Sequence, residues 1–362
     1  MQLLELWLTD FRSHESVHLE CPSGLSAFVG ANGMGKSNLL EAIGYLATLS
    51  SFRGVPGDAL IRSGADTAVV RARVISDDRE HLVEAEIVRG RPNRVLVDRQ
   101  RLRRTRDLLG TLRVSVFSPD DLSLVKGSPG LRRDYLDDLA VSLHPRNDAV
   151  RSDWEKALRQ RNALLKQVAG RLDDSAGLTL DVWDSKAAQA GTRLMEIRRT
   201  LIERLATSVE TAYQQLSGSQ QRVDLVYEPS CADDLLETLR SEREVDIRRR
   251  LTTLGPHRDE LRITLDGMPS RTHCSQGEQR CLALSLRLAG HREVAREVGT
   301  APVLLLDDVF SELDPSRCEA LVRALPEGQS FLTAASGLPE SVHPDRVIQV
   351  TREGLVERAG AN

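Results

Sequence analysis

Paired cysteines are what this 362-residue sequence lacks most plainly. Its five cysteines are scattered singly along the chain, and no two of them form a CxxC pair. An odd number of isolated cysteines argues against a disulfide framework and against a zinc site, and it fits a reducing compartment. The five are Cys21, Cys231, Cys274, Cys281 and Cys318.

Long apolar runs are also missing. No stretch approaches the roughly eighteen consecutive apolar residues that a membrane-spanning helix requires. The opening residues, MQLLELWLTDF, contain neither the basic region nor the apolar core of a secretory signal peptide. We therefore expect a cytoplasmic protein that has no membrane partner.

Lysine, aromatic residues and net charge are all low. The formal net charge is −4, which argues against binding to nucleic acid by overall charge, whereas a local basic stripe can act within a neutral protein. Aromatic residues make up 4% of the chain and form no ladder on which single-stranded bases could stack. Only five of the basic residues are lysines, so a lysine at a motif position is unusually informative.

Hydrophobic patterning divides the chain into three parts. Short runs rich in Val and Ile predict strands in the first part, long stretches of helical spacing predict two antiparallel helices in the middle, and α/β structure returns at the end. We expect an α/β fold in which residues 1–118 and 256–362 form the two halves of one lobe and residues 119–255 form a mostly helical second lobe. The predicted strands are Leu3–Leu8, Ala27–Val29, Ala68–Ile75, Leu82–Val88, Val95–Val97, Val114–Phe117, Leu261–Leu265 and Val303–Leu306, and the predicted break between the two helices is Gly170–Gly177.

The segment GANGMGKS matches the phosphate-binding pattern GxxxxGK[ST]. A predicted strand precedes it and a predicted helix follows it, so backbone N–H groups of the loop and the helix N-terminus can hold phosphate. Lys36 is predicted to neutralise the β- and γ-phosphates of ATP, and the Ser37 hydroxyl to bind Mg²⁺. A glycine-rich turn that binds no nucleotide is the alternative. The predicted nucleotide-binding residues are Gly30, Ala31, Asn32, Gly33, Met34, Gly35, Lys36 and Ser37.

The segment LLLDDVF supplies the acidic partner that a P-loop needs. Four apolar residues lead into Asp307 and Asp308, which places both carboxylates at the C-terminal edge of a buried strand, where ligands gather in α/β sheets. Asp307 is predicted to bind Mg²⁺, and Asp308 to orient or deprotonate the attacking water. Two adjacent surface aspartates are the alternative. Asp307 lies 270 positions after Ser37, an interval that far exceeds one βαβ crossover and indicates an ATPase with an inserted domain.

The segment HCSQGEQR resembles the signature motif of ABC-type ATPases. Ser275 is predicted to cap the helix that follows, and Gly277 permits close approach of the backbone. In ABC-type ATPases this motif contacts the ATP of a second molecule. The resemblance therefore implies that ATP joins two copies of this chain, with Ser275 and Gly277 at the nucleotide. Asp314 corresponds to the D-loop aspartate, which crosses the subunit interface in such dimers.

Further segments, spread over the whole chain, resemble the RecF family of bacterial recombination mediators. The resemblance implies an ATPase head like that of the SMC proteins without their long coiled coil, ATP-dependent DNA binding and weak, DNA-stimulated ATP hydrolysis. It also implies that the protein helps RecO and RecR to load RecA at gapped DNA. The segments are FRSH from Phe11, NLLEAI from Asn38, SFRG from Ser51, FSPDDLSLVKGSPGLRRDYLD from Phe117, GPHRDEL from Gly255 and DDVFSELDPSR from Asp307.

Three positions depart from the ABC-type pattern. Asp308 is one methylene shorter than the usual glutamate, the switch histidine is missing, and no clear Q-loop glutamine follows Val114–Phe117. The polar residues available are Thr333 or Ser336 for the switch, and Ser118, Asp120 or Asp121 for the Q-loop. A nucleotide-binding scaffold without hydrolysis is therefore one alternative. A transporter's nucleotide-binding subunit is another, and it would require both of the missing features.

The densest basic segment is DRQRLRRTRD, from Asp98. If it is extended, Arg99, Arg101 and Arg103 share one face, and together with Arg104 they could follow the phosphate backbone of duplex DNA or of a junction with single-stranded DNA. A solvated loop is the alternative.

Two other groups of arginines are less informative. Arg248, Arg249 and Arg250 end a predicted helix and can simply complement its dipole. Arg132 and Arg133 lie in a family segment, and the sequence leaves open whether they meet DNA, nucleotide or their own fold.

Overall fold

The computed structural model describes residues 1–168, 172–335 and 337–358. The strands are β1 (Gln2–Phe11), β2 (His14–Glu20), β3 (Leu25–Val29), β4 (Thr67–Ser76), β5 (Arg79–Val88), β6 (Arg94–Val97), β7 (Gln100–Arg101), β8 (Val114–Phe117), β9 (Val223–Glu228), β10 (Glu260–Leu265), β11 (Met268–Pro269), β12 (Val303–Asp307), β13 (Ser330–Ala334), β14 (Arg346–Thr351) and β15 (Gly354–Arg358). The helices are α1 (Lys36–Thr48), α2 (Leu122–Lys126), α3 (Pro129–Leu143), α4 (Asn147–Gln167), α5 (Asp174–Ser217), α6 (Leu235–Ser241), α7 (Arg243–Arg249), α8 (Ser270–His273), α9 (Gln276–Val298) and α10 (Pro315–Ala324). Over these residues no helix combines the length and the apolar character needed to cross a membrane.

The chain forms two compact units. Unit 1 comprises Met1–Asp121, Ala212–Ser219 and Leu284–Asn362, and unit 2 comprises Leu122–Thr211 and Gln220–Ala283. The predicted α/β fold is confirmed.

One six-stranded sheet of unit 1 has the strand order β2-β1-β4-β5-β6-β7 and contains four of the predicted strands. Along β4 the small and branched apolar side chains alternate inward, while Arg71 and Arg73 point outward and pair with Glu84 and Glu5. This alternation is what a sheet with one buried face requires. The predicted strands match β1, β4, β5 and β6. Strand β2 was missed because its outward positions are charged or polar and its apolar signal is only two buried residues long.

The second sheet of unit 1 has the order β15-β14-β3-β13-β12-β8, and its strands run parallel from β14 to β8. All five residues of β12 are buried, as its aliphatic sequence predicts for a central parallel strand. Strand β13 lies between β3 and β12. The carboxyl ends of these three strands therefore meet at one edge of the sheet, and the phosphate loop leaves from that edge.

Unit 2 is mostly helical, with a small antiparallel sheet in the order β11-β10-β9. Arg161 of α4 bonds Asp184 of α5, and a Cβ on Gly191 of α5 would touch Trp154 of α4. Because later positions on α5 meet earlier positions on α4, the two helices run antiparallel, as predicted. The break between them is shorter than predicted. Asp173 accepts a hydrogen bond from the Ala176 N–H, so α5 begins at Asp174 and includes Gly177; Gly170 lies outside the described residues.

The division into units differs from the predicted one in two places. Residues 256–283 belong to unit 2, and Ala212–Ser219 belongs to unit 1. Residues 260–265 belong to unit 2 because β10 pairs with β9. The boundaries at Thr211 and Ala283 fall inside the continuous helices α5 and α9. A boundary inside a continuous helix leaves no loop, glycine or change of composition in the sequence.

Candidate nucleotide site

The phosphate loop, residues 30–35, joins the carboxyl end of β3 to α1. Helix α1 has no side-chain cap and no acidic residue in its first turn, so its N–H groups and positive end are available to an anion. Gly35 has a φ of +97°, and a Cβ there would lie 2.5 Å from Ser13 Oγ and 2.8 Å from His14 Nε2. Only glycine fits this approach of the β1–β2 turn to the loop.

Lys36 is buried at the start of α1 and reaches back across the loop. Its Nζ donates hydrogen bonds to Gly30 O at 2.7 Å and to Ala31 O at 2.9 Å. Burial lowers the pKa of this ammonium group, while Asp308 and Asp307 oppose the shift. The tip of the loop, Ala31 to Gly33, is exposed, and Met34 packs against the core of unit 1. The loop is thus closed around its own lysine, with its outer backbone open to a ligand.

Ser37 and Asp307 meet although 270 residues separate them. The Ser37 hydroxyl donates to Asp307 Oδ1 at 2.6 Å. A hydroxyl and a carboxylate oxygen are ligands of the kind that Mg²⁺ takes beside water and phosphate oxygens. Among the residues that the structure describes, no cluster of three or more His, Cys, Asp or Glu could hold a metal by itself. An ion at this pair would take its remaining ligands from water and from the phosphates of a bound nucleotide.

Asp308 follows in a left-handed conformation, with a φ of +49°. Burial is the largest cause of a raised pKa for this carboxyl group, and Asp307 adds to the shift, whereas a hydrogen bond from Ser311 and the charge of Lys36 oppose it. The side chain therefore lies within the electrostatic reach of the phosphate-loop lysine.

The switch and Q-loop positions have polar occupants. Thr333, on β13, donates a hydrogen bond to Asp307 Oδ1 at 2.7 Å; Ser336 lies outside the described residues. Asp121 is buried, and its carboxylate accepts from the Ser118 N–H and from the Arg287 guanidinium of α9. Burial raises the pKa of Asp121, and the two contacts oppose that shift. Asp120, the remaining Q-loop candidate, is exposed.

Two family segments surround Glu41, a fully buried carboxylate on α1. Arg12 donates to both of its oxygens at 2.8 Å, and Ser51 donates to one of them. Arg53 lies 3.9 Å from the same carboxylate and donates to Asn38 Oδ1. The FRSH and SFRG segments thus brace the helix that carries the phosphate loop. Sequence reasoning used them only as family markers; the available signal was a glutamate inside the apolar run NLLEAI.

His14 belongs to the same group. Its Nε2 lies 3.0 Å from Gly35 O, within hydrogen-bond distance, and burial lowers the pKa of the imidazole. The neutral ring can donate this bond to the loop carbonyl. His14 was not among the predicted site residues because nothing in its own sequence neighbourhood shows that the β1–β2 turn packs on the phosphate loop.

The signature segment begins α9 in unit 2. Ser275 is the helix cap, as predicted, and it forms a reciprocal pair with Glu278. The Ser275 N–H and Oγ both donate to Glu278 Oε2, at 2.7 and 2.8 Å, and the Glu278 N–H donates back to Ser275 Oγ at 3.3 Å. Ser275 is exposed and Gly277 is half-buried in the first turn.

Asp314 is the cap of α10. It accepts from the Arg317 N–H at 3.0 Å and from Ser316 Oγ at 2.7 Å, and it pairs with the Arg317 guanidinium at 3.2 Å. These contacts lower the pKa of its carboxyl group, the Ser316 bond most of all. Its side chain is thus engaged with its own helix.

The basic segment is a hairpin, not one extended strand. Asp98 and Arg99 occupy the two-residue turn between β6 and β7 with positive φ angles, so only Arg101 lies in a strand. The alternation that would place Arg99 on one face with Arg101 is lost because the turn reverses the chain. Four arginines of this β6–β7 hairpin and the residues after it are exposed, and in the part of the chain that is described none of them forms an ion pair: Arg99, Arg101, Arg103 and Arg104.

Arg132 and Arg133 serve their own fold. The buried Arg132 donates to both oxygens of Glu260 at 2.7 Å, and Arg133 donates to Asp259 O at 2.7 Å. Glu260 and Asp259 belong to the GPHRDEL segment, so two family segments hold each other within unit 2. Of the three possibilities that the sequence left open, these contacts support a role within the fold.

This chain is similar to known DNA replication and repair proteins. The family model described as "RecF/RecN/SMC N terminal domain" matches residues 2–338. The DNA replication and repair protein RecF of Acidothermus cellulolyticus is 42% identical over 349 residues, which cover 93% of this chain and 94% of the relative. The protein of the same name from Frankia alni is 44% identical over 355 residues, covering 92% and 93%.

Solved structures agree. The recombination mediator protein RecF with ATP, from the RecFOR pathway, matches with a TM-score of 0.92 at 30% identity and covers 99% of this chain and 98% of its own. The Smc head domain of Pyrococcus furiosus matches with a TM-score of 0.60 at 16% identity, covering 99% and 96%, which is a likeness of fold alone.

Proposed function

Since the chain belongs to the RecF family, we propose that it is an ATP-dependent DNA-binding protein of recombinational repair and replication restart. ATP joins two copies of the chain, the dimer binds duplex DNA or its junction with a single strand, and weak, DNA-stimulated hydrolysis releases it. In this role the protein helps RecO and RecR to load RecA at gapped DNA. The repair names of the relatives and the RecFOR pathway of the ATP-bound one support this assignment.

The contact between Ser37 and Asp307 carries the proposal. It unites the two halves of a nucleotide site across 270 residues, at the edge of the sheet where an uncapped helix begins. Mg²⁺, when bound with ATP, would neutralise phosphate charge and fix the geometry of the γ-phosphate. Ser37 and Asp307 would hold it, Lys36 would move from its loop carbonyls to the phosphates, and Asp308 would orient the attacking water.

A second copy of the chain would complete the site. Ser275 is exposed at the start of a 23-residue helix, where backbone N–H groups can meet the γ-phosphate held by Lys36 and Ser37 of the other copy. In a two-fold dimer each site then takes its phosphate loop from one copy and its signature segment from the other.

Mixing two defective variants tests this arrangement. Lys36→Met removes the charge that faces the phosphates, and Ser275→Arg puts a bulky cation in the way of the partner's nucleotide. Each variant alone should fail to hydrolyse ATP. In a heterodimer of the two variants, one site combines the two defects, and the other site has an intact phosphate loop and an intact signature segment. About half of the dimers in an equal mixture are heterodimers, and each has one working site of two. The mixture should therefore recover up to roughly a quarter of the wild-type rate per chain.

The matched control is a mixture of Lys36→Met and Asp307→Asn. Both changes lie in the half-site of their own chain, so every site in the heterodimer keeps one defect and no rate should return. Recovery in the control, or none in the Ser275→Arg mixture, would contradict a site shared between two copies. Turnover is measured with gapped DNA present.

A scaffold that binds ATP without hydrolysing it is a second candidate, favoured by one observation. Asp308 occupies the position of the usual glutamate with a shorter side chain, and burial raises the pKa of its carboxyl group. The raised pKa makes the carboxylate a stronger base, so it is the shorter side chain, with its shorter reach to an attacking water, that favours the scaffold. An absence of DNA-stimulated turnover, together with ATP-induced dimerisation, would favour the scaffold.

A further inference from the structure

Thr333 lies at the centre of the sheet edge that carries the nucleotide site. It is the fourth residue of β13, between the strand that leads into the phosphate loop and the strand that ends at Asp307. Its register partners are Phe28 on β3 and Asp307 on β12. Only 1% of its surface is exposed.

The hydroxyl group of Thr333 joins two consecutive aspartates. Its Oγ1 donates to Asp307 Oδ1 at 2.7 Å and accepts from the Asp308 N–H at 2.9 Å. Asp307 Oδ1 also accepts from Ser37 Oγ. One side chain therefore fixes the carboxylate that would hold Mg²⁺ and the backbone of the residue that would orient water.

The bond to the Asp308 N–H matters because of the backbone conformation there. A left-handed φ is uncommon for a residue other than glycine and costs of the order of 1–3 kcal/mol. The turn is held by the Thr333 hydroxyl at the Asp308 N–H and by Ser311, whose hydroxyl and N–H both donate to Asp308 O. Loss of the Thr333 hydroxyl would free one side of this turn and leave a buried N–H without a partner.

We propose that Thr333 is a positioning residue, which sets the orientation of Asp307 and Asp308 relative to Mg²⁺ and nucleotide. It occupies the strand next to the acidic pair, where other ATPases of this type use a histidine that meets the phosphate. Thr333 works differently, because it is buried and both its donor and its acceptor already serve the two aspartates. This inference rests on the proposed function only in that it assumes a nucleotide with Mg²⁺ at Ser37 and Asp307.

Thr333→Val and Thr333→Ser separate the hydroxyl from the shape of the side chain. Valine keeps the volume and removes both hydrogen bonds, whereas serine keeps both bonds. We measure the affinity for a fluorescent ATP analogue in EDTA and then as Mg²⁺ is added. Affinity in EDTA should be unchanged, since the phosphate loop does not use Thr333. The Mg²⁺ midpoint is the Mg²⁺ concentration that gives half of the metal-dependent gain in affinity for the analogue. This midpoint should rise about tenfold or more in the valine variant and return to the wild-type value in the serine variant.

Ser330→Ala is the matched control. Ser330 is a buried hydroxyl at the opposite end of β13, and its N–H already bonds Gly24 O. Removing its hydroxyl should leave the Mg²⁺ midpoint unchanged. Should valine prevent folding, Thr333→Ala carries the same comparison, because the smaller side chain cannot clash.

The outcomes distinguish this role from the proposed function. A wild-type Mg²⁺ midpoint in Thr333→Val, with only a lower melting temperature, would reduce Thr333 to a structural residue and overturn the inference. A wild-type protein that binds the analogue equally with and without Mg²⁺ would contradict the metal site itself, and this role with it. A shift in valine that serine does not restore would assign the effect to packing and also overturn the inference.

Discussion

Buried ionisable side chains are handled in two opposite ways in this protein. Arg161 is fully buried, and its guanidinium bonds the carboxylates of Asp184 and Asp246 at 2.7 and 2.6 Å. Removing one member of such a group leaves a buried charge unpaired, at a cost of about 3–5 kcal/mol. His291 on α9 is equally buried, yet neither of its ring nitrogens has a hydrogen-bond partner among the described residues. It is tolerated because an imidazole, unlike a guanidinium, can be neutral at pH 7.

His291 should make folding sensitive to acid. Burial, with a smaller contribution from Arg292, lowers the pKa of the imidazole to about 4, below the value of about 6.5 in the unfolded chain. The unfolded state therefore takes up the proton first as the pH falls. The stabilising effect is fully present above pH 6.5 and is lost progressively from there down to pH 4. Between pH 7.5 and 5 the free energy of unfolding should fall by about 2 kcal/mol from this residue alone.

Urea unfolding of wild type and His291→Leu at the two pH values tests this assignment. Leucine is uncharged at both, so the variant should lose less stability on acidification than wild type by about that amount. An equal loss in both proteins would show that other groups control the acid response.

At the scale of elements, the sequence predicted strands and motifs better than it predicted the long-range contacts that surround them. Strands such as β4 and β12 were readable because the alternation or continuity of their apolar residues is set by burial on one face or two. The phosphate loop and Asp307 were readable because their chemistry needs fixed residue types in sequence. The hydrogen-bonded contacts of Glu41 and Thr333 could not be predicted, because their partners are brought together only by the order of strands and the packing of a turn.

At the start of the signature helix α9, a carboxylate already occupies the hydrogen-bond donors proposed to bind the γ-phosphate. The N–H and Oγ of Ser275, which would meet a γ-phosphate, both donate to the Glu278 carboxylate. A phosphate arriving there must displace or approach a negative charge. Glu278→Gln keeps an oxygen that can accept these bonds and removes the charge, so the ATP-induced dimer should become tighter. Helix α9 should lose only about 0.3–1 kcal/mol of dipole stabilisation.

Sedimentation over a range of protein concentrations with ATP gives the dimer dissociation constants. Glu278→Ala is the comparison, since it removes the cap as well as the charge and should not tighten the dimer equally. A weaker dimer in Glu278→Gln would mean that the carboxylate helps the site and does not oppose it.

The β6–β7 hairpin is the element proposed to contact DNA. Exposed arginines without ion pairs can each displace counterions from a phosphate, and each contact contributes about −0.9 to the slope of log affinity against log salt. Arg101→Gln with Arg103→Gln should therefore weaken DNA binding for all sequences and reduce the steepness of the slope by up to about 1.8. Arg248→Gln with Arg249→Gln removes the same charge from the end of α7, where both residues are exposed, and should leave the slope unchanged. Equal effects of the two pairs would indicate overall charge, not a defined contact.

At the scale of the whole molecule, the proposed function links ATP and DNA through dimerisation, and such a link is reciprocal. If ATP raises DNA affinity by some factor, DNA must raise the combined affinity for the two ATP molecules of the dimer by the same factor at the same protein concentration. Ser275→Arg should leave the phosphate loop of each copy intact, so the variant should still bind ATP. Because the added side chain blocks closure on the partner's nucleotide, the variant should remain a monomer with ATP. The factor by which ATP raises DNA affinity and the factor by which DNA raises ATP affinity should then both fall to one.

Calorimetry of ATP binding with and without gapped DNA, and DNA binding with and without ATP, measure the two factors. Ser185→Arg places the same side chain at an exposed position of α5 in unit 2 and should keep both factors at the wild-type value. An ATP-induced dimer that survives Ser275→Arg would contradict the shared site. In a second contradictory outcome, ATP no longer changes the affinity for DNA while DNA still changes the affinity for ATP. This would contradict dimerisation as the link, because one equilibrium cannot couple two ligands in one direction only.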